Sequence, residues 1–425
     1  MSYLVVAALV TLAAFPSFAS SSETQTSPKR KIASVVDLEA EIQLLRKQVE
    51  NQNLDGAGCT KLFEETYERL WSSSPSDYAP DAASKEVLKA KAPRLIQDLF
   101  QTRLLVRQRI NQLADKGQAT RECTDAARSV LRAGRFLEDV LGQLQLDFPK
   151  NDPKNMPPVL KGEAPWLLVN PKFGKFELKT GDVLISRGSA FTSAAIARIA
   201  DADAQFSHAA LIYVDDKTGQ VETMEAHIEI GSVVAPLEKY LEDGKTRSVL
   251  FRHQDAALAV RAAKLMREEI LAYKAKHKDN YPYDFKMEEQ NAKEIFCSEL
   301  IRRAFELASD GKEILPRLTS NVNPKNTKFI ERLGVQTGET FLPGDVELEG
   351  RFEMIAEWRD YSRMSESHIH DAILVTMYDW MDRYAYQLST RVGRRSKNKF
   401  FGPFAAGRSS RRFSRKSSRR TWART

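Results

Sequence analysis

Four prolines fall within residues 148–159, a polar stretch that can continue neither a helix nor a central strand. It reads as a linker over residues 147–165 and divides the chain into two parts with different patterning. On its amino-terminal side the apolar residues repeat at helical spacing. Ser34-Val-Val-Asp37 has the form of a helix start, a Ser oxygen facing the third amide and an acid at that position. Val35, Leu38, Ile42, Leu45 and Val49 then make one apolar seam. Two heptads are too few for a coiled coil. Further helical patterns cover residues 60–71, 94–114 and 124–146, with Pro93 suited to a first helical turn. Residues 34–146 are therefore expected to form an all-α helical bundle.

Beyond the linker the period changes to that of strands. Residues 182–186, 208–214, 221–230 and 249–252 are short apolar runs, and Asp215-Asp-Lys-Thr-Gly219 is a hairpin turn between two of them. Helical patterns lie at residues 193–200, 254–275 and 297–308. Strands with segregated helices predict an α+β domain over residues 166–365. Residues 316–345 read as loop-rich, and residues 366–390 as a C-terminal helix, its pattern clearest over 370–388. There is no internal repeat.

The chain has 425 residues, 42% hydrophobic and 28% charged, too apolar for wholesale disorder. Its longest apolar run, residues 4–15, is about half a bilayer span, which excludes a polytopic membrane protein. That run is followed by Pro16 and the small-residue site Ser17-Phe-Ala19, so residues 1–19 read as a signal peptide. Met1-Ser2-Tyr3 departs from the pattern by carrying no Lys or Arg. The expected location is periplasmic or secreted, in a bacterial cell envelope. The net charge of +7 is uneven: residues 391–425 hold thirteen Lys or Arg and no acid, leaving 51 cations against 57 acids before them. That basic tail has no apolar periodicity and reads as disordered. Its aromatics Phe400, Phe401, Phe404, Phe413 and Trp422 suit adhesion to an anionic membrane or cell-wall surface. An exported chain leaves nucleic acid aside as a partner.

Of three cysteines, Cys59 and Cys123 lie in the helical part and Cys297 in the α+β part. Export would make a Cys59–Cys123 disulfide natural, worth on the order of 4 kcal/mol by loop entropy; two separate buried thiols are the alternative. Cys297 is then the odd thiol, at the first turn of an amphipathic helix, where unpaired amides favour thiolate and can hold an oxyanion. His208 opens a strand that turns apolar at once. Glu225 stands on the neighbouring strand where apolar residues are expected. Cys297, His208 and Glu225 supply a nucleophile, a base and an orienting carboxylate. Each also has a bland reading, as a buried thiol, a satisfied strand histidine and an exposed strand acid.

The blocks Gly181-Asp-Val-Leu-Ile, Phe206-Ser-His-Ala-Ala-Leu-Ile-Tyr, Met224-Glu-Ala, Tyr283-Asp-Phe and Phe296-Cys-Ser-Glu-Leu, between residues 175 and 308, resemble the permuted papain-like hydrolases of the YiiX/YebB-like NlpC/P60 superfamily. Histidine comes first and cysteine last, the reverse of papain. The resemblance implies a circularly permuted papain-like domain with Cys297 as nucleophile, His208 as base and Glu225 as third member. It implies an acyl-enzyme mechanism; no cofactor and no metal are expected. Relatives cleave amide bonds in cell-wall peptides, and more distant permuted members act on lipid acyl groups, so the substrate is a peptide or a lipid acyl group. Ala210 stands where many relatives have Gly, and His227, two residues from Glu225, could orient the base or touch substrate. The resemblance covers neither the helical part nor the tail.

Three rival readings remain. A lipid acyl hydrolase or acyltransferase would use the same fold. A non-catalytic envelope-binding module could retain the fold without turnover. His368 and His370 offer a His-x-His metal pair if they lie on one strand face.

Overall fold

The computed structural model describes residues 31–51, 54–144, 165–174, 176–200, 204–242, 244–288, 293–322 and 338–384. The expected signal peptide, nearly all of the linker and the basic tail lie outside the described residues.

The first part is helical. Helix α1 (Val35–Glu50) is capped by Ser34, whose Oγ accepts the Asp37 amide at 3.1 Å, and its buried residues are the five of the seam. It is followed by α2 (Gly56–Trp71), the single turn α3 (Pro75–Tyr78), α4 (Ala82–Asp115) and α5 (Arg121–Gln143). Pro93 does not start a helix: α4 begins at its Asp81 cap and runs 34 residues, with Pro93 inside it. Packing of Leu88, Leu95, Ile96 and Leu99 on either side holds the helix through the missing rung. A disulfide joins Cys59 of α2 to Cys123 of α5, with 5.4 Å between their Cα atoms.

The second part is built on an antiparallel sheet of seven strands in the order β1-β9-β6-β2-β3-β4-β5. These are β1 (Pro165–Val169), β2 (Val183–Gly188), β3 (His208–Val214), β4 (Val221–His227), β5 (Gly231–Pro236), β6 (Lys245–His253) and β9 (Phe352–Asp360). The run expected as one strand over residues 221–230 is broken: β4 ends at His227, three residues turn, and β5 returns from Gly231. Gly231 has φ +75°, and a Cβ there would lie 2.2 Å from the Tyr281 carbonyl oxygen, so only glycine admits the loop that docks on β5. Short helices α6 (Phe191–Ile196) and α7 (Leu237–Glu242) interrupt the strands. Two long helices, α8 (Ala256–His277) and α9 (Cys297–Ala308), follow β6. The two-stranded pair β7 (Ser320–Asn321) and β8 (Glu339–Thr340) precedes a 3-10 turn, Pro343–Leu348. The last helix, α10, spans Tyr361–Tyr384 and starts earlier than expected, because Asp360 ends β9 and its carboxylate accepts the Ser362 amide at 3.0 Å.

Alternation along the strands separates two cores. Ala209, Leu211, Met224 and Ala226 face Leu300, Ile301, Ala304 and Phe305 of α9 and Met266 and Ile270 of α8. Leu184, Ala210 and Ile212 face Leu237, Tyr240 and Leu241 of α7. The first of these cores is continuous with Ile42, Leu95, Ile96 and Phe100 of the helical part. Among the described residues no helix is long and apolar enough to cross a membrane.

Where α4 and α5 meet the sheet, the contact is ionic and buried. Arg103 of α4 places Nε 3.0 Å from Glu138 Oε1 of α5 and Nη2 2.5 Å from Glu357 Oε2 of β9. Asp139 of α5 receives Arg247 of β6 at 2.6 Å and Arg359 of β9 at 2.9 Å. Arg359 also bonds Glu138 and Glu357, and Arg135 bonds Glu347. Four guanidiniums face four carboxylates, and every one of the eight is buried. Burial opposes the charge on Glu357, yet Arg103, Arg359 and Arg247 around it win and hold its pKa down at about 2. A depressed carboxylate adds stability that is present above its unfolded value and lost as pH falls through its folded one.

Removing one member should therefore be severe. Glu357→Ala leaves three guanidiniums facing a hole and should cost about 3–5 kcal/mol in urea unfolding. Arg383→Ala, which breaks an exposed pair with Asp379, should cost less than about 1 kcal/mol. Equal small effects would show that the buried charges do not secure the helices to the sheet.

Candidate active site

Strand β3 begins with His208, and β4 sets Glu225 opposite Ala210. Two residues of offset across an antiparallel pair bring a long carboxylate within reach of the strand-opening imidazole. His208 Nε2 lies 2.7 Å from Glu225 Oε2. Thr223, on the same face of β4, donates its hydroxyl to the other carboxylate oxygen at 2.6 Å. Glu225 is thus held at both oxygens, with only 2% of its side chain exposed, while the His208 ring keeps 17% exposed toward solvent.

The Cys297 side chain lies near enough to the same imidazole to favour its charged form. Cys297 is the first residue of α9 and 5% exposed, and it is the free cysteine. Its position is fixed by the start of that helix. Phe296 takes an extended cap conformation, and the Glu299 carboxylate accepts its amide at 3.2 Å. Ser298 anchors its hydroxyl on the Phe341 carbonyl at 2.6 Å. The buried face of α9 then packs on β3 and β4, which carry the other two residues. First-turn amides of a helix have no partner within the helix and point at whatever stands before it.

Charge is arranged around the imidazole. Burial alone would lower the His208 pKa, but its interactions with Cys297 and Glu225 and the charges of both outweigh it and raise the pKa to about 9. Burial would raise that of Glu225, but the bond to His208 and the charges of His208, Lys245 and His227 bring it down to about 2. His227 Nε2 stands 3.5 Å from the same carboxylate oxygen, and its ring packs 5.1 Å from that of His208. The three residues singled out from the sequence are therefore brought together.

Other participants were not legible as such. The loop before α9 docks on β5 through the Ser232 amide on the Tyr281 carbonyl, 2.7 Å, and closes on itself through the Ile295 amide on the Pro282 carbonyl, 2.9 Å. Tyr283 lies within this loop, and its hydroxyl is pushed well above its ordinary pKa by burial and then by the charges of Cys297 and Asp284. Its hydroxyl therefore stays protonated. Glu299 is raised to about 8 by burial and then by Asp284, so it is largely protonated at neutral pH. The period-two rule gives a signal for Thr223, two residues from Glu225. None marks Tyr283 beyond its place in a family-like block. The His-x-His pair is a different matter. His368 and His370 lie on a helix, α10, not on a strand face. His368 Nε2 meets Asp139 at 3.2 Å and His370 Nδ1 meets the Ser189 carbonyl at 2.9 Å, so the two rings serve separate contacts.

A thiol at the start of a packed helix, with an imidazole and a carboxylate on adjacent antiparallel strands, is a papain-like arrangement with histidine ahead of cysteine in the chain. Residues 177–355 match the family model described as permuted papain-like amidase enzyme, YaeF/YiiX, C92 family. The α+β domain matches this permuted papain-like model and is preceded by a helical region. No curated protein and no solved structure gives a match to the chain.

The raised His208 value depends on a full charge at Glu225. Glu225→Gln keeps a hydrogen-bond acceptor and removes the charge, so the His208 pKa should fall from about 9 toward or below the ordinary value near 6.5. Titration of the ring protons by NMR reads this directly. A midpoint that stays near 9 would mean that Glu225 does not set the charge state of the imidazole.

Proposed function

We propose that the protein is an exported cysteine hydrolase of the amidase type, acting on amide bonds of cell-envelope peptides. The observation that carries this reading is the gathering of Cys297, His208 and Glu225, with His208 hydrogen-bonded to Glu225 and Cys297 close enough to act on the same imidazole. In the proposed mechanism the Cys297 proton passes to His208 and the sulfur attacks the amide carbon. The developing oxyanion is held by first-turn amides of α9 and by the Tyr283 hydroxyl. His208 then gives its proton to the leaving nitrogen as the carbon–nitrogen bond breaks, leaving a thioester. Water, deprotonated by His208, attacks the thioester, and the acid leaves as the thiol is restored. Glu225 stays ionised throughout and steadies the imidazolium that forms within each half-reaction.

Cys297→Ala should abolish hydrolysis of a muropeptide-type substrate with the fold intact by circular dichroism. His208→Ala should do nearly as much damage, because members of such a unit act together. The alkaline limb of kcat/KM should lie near pH 9, where His208 loses the proton that the leaving group needs. More than about a tenth of the wild-type rate in Cys297→Ala would move the nucleophile elsewhere.

Export and surface attachment complete the reading. They rest on the apolar run at residues 4–15 and on the thirteen cations of residues 391–425. Each cation near an anionic membrane adds about 1 kcal/mol, fading within about 8 Å at physiological salt. A chain ending at Ser389 should keep its rate on a soluble small substrate and lose cosedimentation with anionic vesicles or cell-wall sacculi. Persistent pelleting of the truncated chain, or full-length binding indifferent to salt, would show that the tail is no tether.

A further inference from the structure

We propose that His208, Glu225 and His227 form a binding site for a divalent transition metal of the zinc class, which competes with the use of the same imidazole in catalysis. The binding claim stands on geometry alone; only its effect on turnover rests on the hydrolase reading.

One nitrogen of each ring and one carboxylate oxygen lie within 4.8 Å of one another. Two imidazoles and a carboxylate are the donor set of open zinc sites, which leave a fourth position for water. The sheet supplies this set for a structural reason. In the β3–β4 register Ala210 faces Glu225, and continued by two residues it sets 208 opposite 227. Both rings therefore lean over one carboxylate from the same face. Tetrahedral bonds of about 2.0–2.1 Å keep ligand atoms roughly 3.4 Å apart. His227 and Glu225 already stand at 3.5 Å, while His208 and Glu225, at 2.7 Å, would part by well under 1 Å. The Thr223 hydroxyl fixes the non-ligating oxygen, as outer partners of metal carboxylates do. Glu225 is buried, but the rings are 17% and 21% exposed, so an ion has an approach. The Cys297 sulfur is not among the ligand atoms that gather there, so the thiol stays outside the donor set. An ion held there would break the His208–Glu225 hydrogen bond and pin the imidazole, blocking proton transfer without touching the nucleophile.

The test uses the full chain after treatment with a chelator, titrated calorimetrically with Zn2+ alone and, in parallel, with Co2+ followed by absorption. The expected result is one equivalent bound, with no thiolate-to-cobalt charge-transfer band. His227→Ala should weaken binding by about a hundredfold. Thr223→Val, which leaves all three ligands in place, should weaken it by about tenfold. Cys297→Ala should bind as wild type does. In turnover assays each variant is compared with its own metal-free rate, and His227→Ala should lose most of its sensitivity to Zn2+. The proposal is overturned by the absence of stoichiometric binding. It is equally overturned by a thiolate band lost in Cys297→Ala, or by affinity indifferent to both His227→Ala and Thr223→Val. Zinc binding as expected in a chain with no hydrolytic activity would uphold the site and sink only the hydrolase reading.

Discussion

The buried array of Arg103, Arg135, Arg247 and Arg359 with Glu138, Asp139, Glu347 and Glu357 sets the frame on which the other elements depend. Charges taken out of water are costly to bury, and their mutual attraction offsets this only when geometry leaves none of them alone. Such an array tolerates very few relative positions of α4 and α5 on the sheet, because a shift of one residue would strand a charge. Strands β6 and β9 carry the sheet side of the array. Strand β6 pairs with β2, and β2 pairs with β3, whose first residue is His208. The position of the imidazole is thus two strand pairings away from the ionic frame.

That frame also places the helical part in relation to the permuted papain-like segment. The family match ends at residue 355, whereas Glu357 and Arg359 lie just beyond it and α4 and α5 far before it. Yet Arg247, within the matched segment, finds its closest carboxylate in Asp139 of α5. Ile42, Leu95 and Phe100 share a core with Val183 and Leu211. Without α4 and α5, Glu347 would lose both of its arginines and Arg247 would keep only Glu357 of β9. The helices are part of what makes this sheet stable, and not an attachment to a finished domain.

The site itself was more legible than its frame. Cys297 showed at a helix start because amphipathic spacing begins there, and Glu225 because an acid interrupts an apolar strand. His208 stood out for opening one. Those signals are local, and local rules govern capping and strand alternation. The array was hidden for the same reason. Arg103, Arg135 and Asp139 fall inside helical patterns and carry no local signal of burial. Glu357 and Arg359 break the apolar run of β9 so thoroughly that no strand was expected at residues 352–360. Their burial is decided by partners more than two hundred residues away, which no window can contain. Pro93 failed in the same way, since tertiary packing carries α4 through a residue that ends most helices.

The two buried charge systems solve opposite problems. In the array each carboxylate is matched by arginines, which stay charged at any accessible pH, and the histidine that touches it, His368, meets an Asp139 already held by two arginines. Around Glu225 the partners are histidines, and the carboxylate is fixed by Thr223 at one oxygen and by His208 at the other. A single negative charge, unable to leave and shared between two titratable rings, keeps a proton nearby without owning it. It is the substitution of imidazole for guanidinium opposite a buried acid that turns a structural pair into one able to exchange a proton with Cys297. Its exposure on one side only, at the rim where β3 and β4 begin and end, confines that exchange to whatever the face of the sheet admits.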